Sequence, residues 1–328
     1  MRCLAIFALS GVSIKKGTPT EARLAYRAVG LLLFSLCDGS PEPLLDEVFR
    51  ALSKGIQAAQ DGAPPTLVAA AIDCLAAASF AGARHAGAAQ KSMDAIWRVV
   101  VVTPKQQKKK TSPVVVAAAV SAWTFLLTTV VQRKAGRAGW SAAIASLVEL
   151  LGADDRRVRM AAGEALGVCV ELNLTKGKDL GALKAKVSDL AAEYAGKRAD
   201  NSLLRQQQEL FGQIAAFLDR GEPPVASWEW HSMMKVSTWV RLAQLNFLRR
   251  FLGDGFFNHA RNNPLLRDAF SFGRVVGSPL TIGNREGSVP IDDFLRDMKR
   301  DWLWVDKNIL AVQKYRRWKH KLLQLGWH

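Results

Sequence analysis

An all-α chain, built of stacked helix pairs and followed by a small C-terminal helical domain, is the fold class the sequence predicts. Three observations predict it. Apolar residues recur at helical spacing through residues 1–220, and no segment there alternates as a strand would. Short breakers separate the runs and carry start and stop signals in the right order, such as Gly17-Thr18-Pro19 before one run and Asp38-Gly39 after it. The faces of the runs are rich in small residues, which close helix contact requires.

The elements follow in order. Thr20–Cys37 is the first helix, and Pro41–Ala59 the second, ending in "QDGAPP". Thr66–Phe80 and Ala88–Val102 come next. "TPKQQKKKTSP" is an exposed loop, and Val114–Val131 is the helix beyond it. Ser141–Leu151 leads through "GADD" into Arg156–Leu172, with Asp154 or Asp155 as the cap of the second. Leu180–Tyr194 and Leu203–Leu218 complete the series.

No fixed period links these units. Even so, "LLGADDRRVRMAAGEALGVCVEL" reads as one turn of an armadillo or HEAT array, with Ala161, Ala165 and Cys169 on one face for close contact. Each unit of such a solenoid buries its apolar face only against neighbours. A compact helical bundle is the alternative architecture.

Residues Gly221–Trp230 contain two prolines and mark a boundary. The predicted organisation is a helical-repeat domain over 1–226, a small C-terminal domain over 227–272, and a third part over 273–328. That last part begins with a Gly-rich linker, Gly273–Gly287, and ends in a basic, Trp-rich helix from about Ile291 to Leu325. On a helical wheel, "STWVRLAQLNFLRRFLGDGF" (237–256) shows two apolar stripes. One holds Trp239, Val240, Ala243, Phe247 and Phe251, and the other Leu245, Leu248 and Leu252. Asn246, Arg249 and Arg250 fill the polar sector left for a partner, and Gly253 and Gly255 end the helix.

The net charge of +16 speaks to partners more than to fold. It suits nucleic acid, ribosomal RNA, acidic protein segments or an anionic membrane surface. Residues 101–140 hold seven Lys or Arg and no acid. Near the end, "KYRRWKHK" interleaves aromatics with cations, a composition that holds phosphates while rings stack on bases. The four Cys (Cys3, Cys37, Cys74, Cys169) form no C-x-x-C pair and read as reduced core thiols. The five His show no ligand spacing, so no metal is expected.

Two stretches imitate membrane signals. "MRCLAIFALSGVS" loosely resembles a signal peptide, and Val114–Val131 is uncharged and long enough to span a bilayer. The second is rich in Ala and Thr and reads as a helix buried between helices, so a membrane is not the expected partner. Motifs of catalysis are missing: no phosphate-binding G-x-x-x-x-G-K-[ST], no dinucleotide G-x-G-x-x-G, no H-E-x-x-H and no G-x-S-x-G. The adjacent Asp154 and Asp155 read as capping residues. No enzyme, cofactor or small-molecule substrate is expected.

Five stretches resemble the interferon-related developmental regulators in their plant-like form: "SIKKGTPTEARLAYRAVGLL" (13–32), "KSMDAIWRVV" (91–100), "VVVAAAVSAWTFLLTTV" (114–130), "FGQIAAFLDRGEPP" (211–224) and "STWVRLAQLNFLRRFLGDGFFNH" (237–259). The last is the most specific, and the resemblance runs from about residue 10 to about residue 272. It implies an armadillo-like N-terminal domain, a short C-terminal domain and a non-enzymatic regulator. Two settings are implied for such a regulator. One is association with ribosomes and translational control, through a basic segment on ribosomal RNA. The other is nuclear transcriptional co-regulation with co-repressor and histone-deacetylase complexes. The location expected is therefore cytoplasm, nucleus or both; the oligomeric state is not specified.

The chain departs from the family pattern in two places. It starts inside what resembles the first repeats, so the apolar face of Leu24–Leu33 would be exposed unless residues 1–12 cap it. After Phe272 it continues as "SVPIDDFLRDMKRDWLWVDKN" in place of a basic "RSPNS"-like segment, and RNA-contacting residues of that segment have no counterpart. The expected partner contacts are Lys105, Lys108, Lys109, Lys110, Arg249 and Arg250, with Lys314, Arg316, Arg317, Lys319 and Lys321 as a basic tail.

Overall fold

In the computed structural model, the residues described are 2–35, 49–50, 52–53, 56, 63–82, 86–101, 111–132, 140–175, 180–194, 201–225, 236–263 and 266. All of them belong to one compact unit, Met1–Gly273; the other unit, Arg274–His328, lies outside the described residues. Among the described residues every element is helical. They are α1 (Arg2–Lys16), α2 (Pro19–Ser35), α3 (Pro65–Gly82), α4 (Ala86–Val100), α5 (Pro113–Gln132) and α6 (Trp140–Leu150). Then follow α7 (Arg156–Glu171), α8 (Gly181–Ala191), α9 (Asn201–Arg220), α10 (Trp239–Leu252), a 3-10 turn η1 (Gly253–Gly255) and α11 (Phe256–Asn262).

The starts obey local chemistry. Pro opens α2, α3 and α5, where its fixed φ suits a first turn and its missing N–H costs nothing. Thr18 Oγ1 accepts from Glu21 N at 3.3 Å. Asp155, one of the two expected caps, accepts from Arg157 N at 2.8 Å. Thr238 caps α10 by accepting from Arg241 N at 3.0 Å, and Gly253, at φ 56°, ends it. The expected helix 41–59 falls largely outside the described residues.

The helices form two layers. In one, α2, α3, α5, α7 and α9 lie side by side, each against the next. In the other, α1 backs α2, α4 backs α3 and α5, α6 backs α7, and α8 backs α9. Contacts between matching heights make the first layer parallel: Phe34–Phe80 at 5.7 Å, Phe80–Phe125 at 5.3 Å, and Arg159 on Gln207 at 2.8 Å. This is the stacked-pair architecture of a helical-repeat solenoid. The sequence signals do not single out α1 as an element. It packs against α2, in which Leu33 is buried, while Leu24 remains 57% exposed.

Helix α5 is long and apolar enough to cross a membrane, yet 72% of its Pro113–Val130 window is buried among the other helices. Trp97 of α4, Trp123 of α5 and Trp140 of α6 meet in series at 4.7 and 5.8 Å, the first pair tilted and the second edge-on, tying the second layer to the first.

Helix α10 does not stand apart. It lies across the first layer, against α5 and α7, and reaches α9 at one end and α2 at the other. It crosses the C-terminal halves of these helices. Phe34, Phe80, Phe125, Phe247 and Phe251 close into a ring of buried aromatics, with Phe247 stacked on Phe125 at 4.1 Å. Gly30 and Gly167 make room for it. A Cβ on Gly30 would meet the Phe251 ring, and one on Gly167 would come within 2.8 Å of the Trp239 indole.

Candidate functional site

Helix α10 meets the layer it crosses through a series of polar contacts. Three acids from the layer meet it. The Glu171 carboxylate accepts from Trp239 N at 2.9 Å and Val240 N at 2.8 Å, so it satisfies two first-turn amides and faces the positive end of the helix. Glu164 accepts from Asn246 Nδ2 at 2.6 Å. Asp73 accepts from Arg250 Nη2 at 2.7 Å, while Arg250 Nη1 donates to Ser121 Oγ at 2.9 Å. Between them Gln244 donates to Thr128 Oγ1 at 3.1 Å, and beyond α11 the Asn263 amide donates to the Phe34 carbonyl at 2.9 Å. Burial pushes both Asp73 and Glu164 above the usual carboxylate range. Arg250 pulls Asp73 back by charge and hydrogen bond, and Asn246 and Arg250 do the same for Glu164.

A second network lies between α7 and α9. Arg159 is 9% exposed and donates to Gln207 Oε1, to Glu193 Oε2 at 2.9 Å and to the Ala153 carbonyl at 2.8 Å. Arg156 reaches Glu193 Oε1 at 2.9 Å. Desolvation raises the Glu193 carboxyl, but the Gln207 and Arg156 hydrogen bonds and the two guanidinium charges outweigh it and hold the group low. This network locks the "GADD" turn to the next helix pair.

The expected partner residues divide as follows. Arg249 is exposed in the last turn of α10. Arg250 is exposed along its stem while its guanidinium holds Asp73 and Ser121. Asn246, placed in the same polar sector by the wheel, is half-buried on Glu164. Lys105, Lys108, Lys109 and Lys110 lie outside the described residues, in the segment that leads into α5 at Ser112. Lys314, Arg316, Arg317, Lys319 and Lys321 lie outside them as well, as do Gly273–Gly287 and the Trp-rich end.

Of the small-residue face, Ala165 and Cys169 are buried but Ala161 is partly exposed; the closest approaches in α7 are at Gly163 and Gly167. The sequence reading misses Asp73, Glu164 and Glu171. Their signal is isolated acids in otherwise apolar runs, Asp73 in "AAAIDCLAAA" and Glu164 and Glu171 at the two ends of "GEALGVCVE", which burial permits only with a partner. Burial raises the Cys74 thiol and pushes Cys169 up to about 12, so neither supplies a thiolate near neutral pH. Among the described residues no group of three or more His, Cys, Asp or Glu is arranged to hold a metal ion.

A model of the interferon-related developmental regulator family matches residues 4–219, the span of the two helical layers. Interferon-related developmental regulator 2 of Mus musculus is 29% identical over 136 residues, 40% of this chain and 31% of that protein. Interferon-related developmental regulator 1 of Sus scrofa is 27% identical over 163 residues, and that of Homo sapiens 26% over 163 residues; each match spans 47% of this chain and 35% of the relative. The matches therefore span about a third of the length of these curated relatives.

Proposed function

Because the chain belongs to the interferon-related developmental regulator family, we propose that it is a non-enzymatic regulator that associates with ribosomes and controls translation through a basic surface. The observation that carries the reading is how the charge is distributed. The chain has a net +16, and residues 101–140 carry seven Lys or Arg with no acid. Lys105, Lys108, Lys109 and Lys110, with Arg249 and the basic tail from Lys314 to Lys321, are the contacts for ribosomal RNA.

Sucrose-gradient sedimentation of the tagged full chain tests this. The chain is expected in ribosomal fractions at about 50 mM salt and largely free at about 200 mM, because phosphate contacts release counterions. Replacing the four lysines of 105–110 by Gln should flatten the salt slope by roughly 0.7 for each phosphate no longer neutralised. Absence from ribosomal fractions at low salt sinks the reading.

The basic run "KQQKKK" favours a second reading, nuclear transcriptional co-regulation with co-repressor partners, since such runs also serve as nuclear localisation signals. A tagged chain confined to the cytoplasm rules that out.

A further inference from the structure

Helix α10 covers only half of the layer it crosses. In the C-terminal halves of the layer helices nearly every residue is buried, as in Cys74–Ala78 and Ala122–Thr128. One or two turns earlier, on the same faces, burial stops. Positions three to seven residues before the α10 contacts are partly or fully exposed: Arg23 and Arg27 on α2, Ala69 on α3, Ala117 on α5, and Arg157 and Met160 on α7, with the Arg27 guanidinium lying over Gly253 at the end of α10. These make an uncovered strip running beside α10 across the parallel helices. A 20-residue helix such as α5 is about 30 Å long, and a crossing helix takes roughly 10 Å, so the strip has the width of one more polypeptide segment.

The charged positions named on it are cationic, with Glu21 and Asp154 as exposed acids at the same helix ends. Arg23, Arg27 and Arg157 are exposed, and no ion pair involves them among the described residues. None of the strip positions just named is acidic. Asp155, at the same end of α7, is committed as that helix's cap. Between the arginines the floor is shallow and aliphatic. It offers no exposed aromatic ring on which a base could stack.

We propose that this strip is a docking surface for an acidic polypeptide segment carrying aliphatic side chains, lying alongside α10. Carboxylates meet the arginines near the two ends, and Leu-sized side chains fill the floor at Ala69, Ala117 and Met160. The proposal does not depend on the ribosomal RNA contacts above.

The test is fluorescence anisotropy of the purified full chain with a labelled peptide of about 14 residues repeating Glu, Leu and Asp, long enough when extended to cross the layer. Arg157→Glu lies in the first turn of its helix, where a carboxylate suits the helix dipole, and Arg23→Glu changes an exposed side chain in the second turn of α2, so the fold should hold; circular dichroism checks it. Each is expected to weaken binding about fivefold or more, and Ala117→Trp, which fills the floor, by about tenfold. Ribosome sedimentation should be unchanged in Ala117→Trp. The proposal is overturned by binding weaker than about 1 mM at low salt. It is equally overturned by affinity that ignores all three substitutions, or by a short RNA duplex that binds through the same three residues and outcompetes the peptide.

Discussion

The two halves of the α2–α3–α5–α7–α9 layer are made of the same helices, yet they differ in kind. Under α10, Phe34, Phe125, Leu126 and Val168 are wholly buried or nearly so, and acids sit at Asp73, Glu164 and Glu171. Beyond it, the same faces carry arginines, alanines and Met160, partly or fully exposed. Helical period alone does not decide which stretch of an amphipathic face is core. What decides it is whether a further element lies on that stretch, and here the element arrives from more than a hundred residues downstream of α5.

The largest way to break this contrast is to truncate a ring in the covered half. Phe247→Ala removes the ring stacked on Phe125, with Phe251 and Arg250 as its other neighbours. A loss of about 3–5 kcal/mol is expected from lost transfer energy and the cavity left behind. Met160→Ala in the open half should cost about 1 kcal/mol or less. Chemical denaturation of both variants measures the gap. Equal losses would mean that α10 contributes little to the core.

The same contrast between covered and open faces explains what is legible in the sequence. Helix boundaries come through because Pro, Thr, Asp and Gly act within a turn of where they stand: Pro19, Thr18, Asp155 and Gly253 each mark an end that the fold keeps. The apolar stripes of 239–252 come through because their period is local. Leu242 and Gln244, which the wheel leaves unassigned, are buried too. The layer itself is legible only as small-residue faces. Why Gly30 and Gly167 must be Gly depends on where the Phe251 and Trp239 rings fall, and no local pattern encodes that. Partnering is the least legible: Arg250 looks identical in sequence whether it meets a ligand or Asp73.

A smaller test sharpens the contrast at two glycines. Gly to Ala in a helix ordinarily stabilises by about 0.5–1 kcal/mol. In α9, Gly212 has nothing within 4 Å of an added Cβ, so Gly212→Ala should gain that amount. In α7, the Cβ of Gly167→Ala would lie 2.8 Å from Cδ2 of Trp239, and the indole is fully buried. A net loss of about 1–3 kcal/mol is expected there. Melting temperatures of the pair decide it; a gain at both sites would show that α10 yields to the layer instead of being fitted to it.

The smallest effects are electrostatic, and they separate the α10 contacts from the α7–α9 network by sign. Glu164 is raised in the fold by burial, so its contribution to stability is complete below its unfolded pKa and is lost as pH rises through the folded value. Glu193 is held low despite partial desolvation, because Gln207, Arg156 and Arg159 favour its charge; its contribution is present above its unfolded pKa and is lost as pH falls through the folded value. Glu164→Gln keeps an acceptor for Asn246 and removes a charge that burial penalises. It should leave stability unchanged near pH 4 and add up to about 1 kcal/mol at pH 7. Glu193→Gln should do the reverse, costing about 1 kcal/mol at pH 7 and progressively less toward acid. Denaturant midpoints across that range read both at once. If the two variants shift in the same direction with pH, the acids under α10 carry no net desolvation cost, and the polar contacts of α10 stabilise it in the same way as the network between α7 and α9.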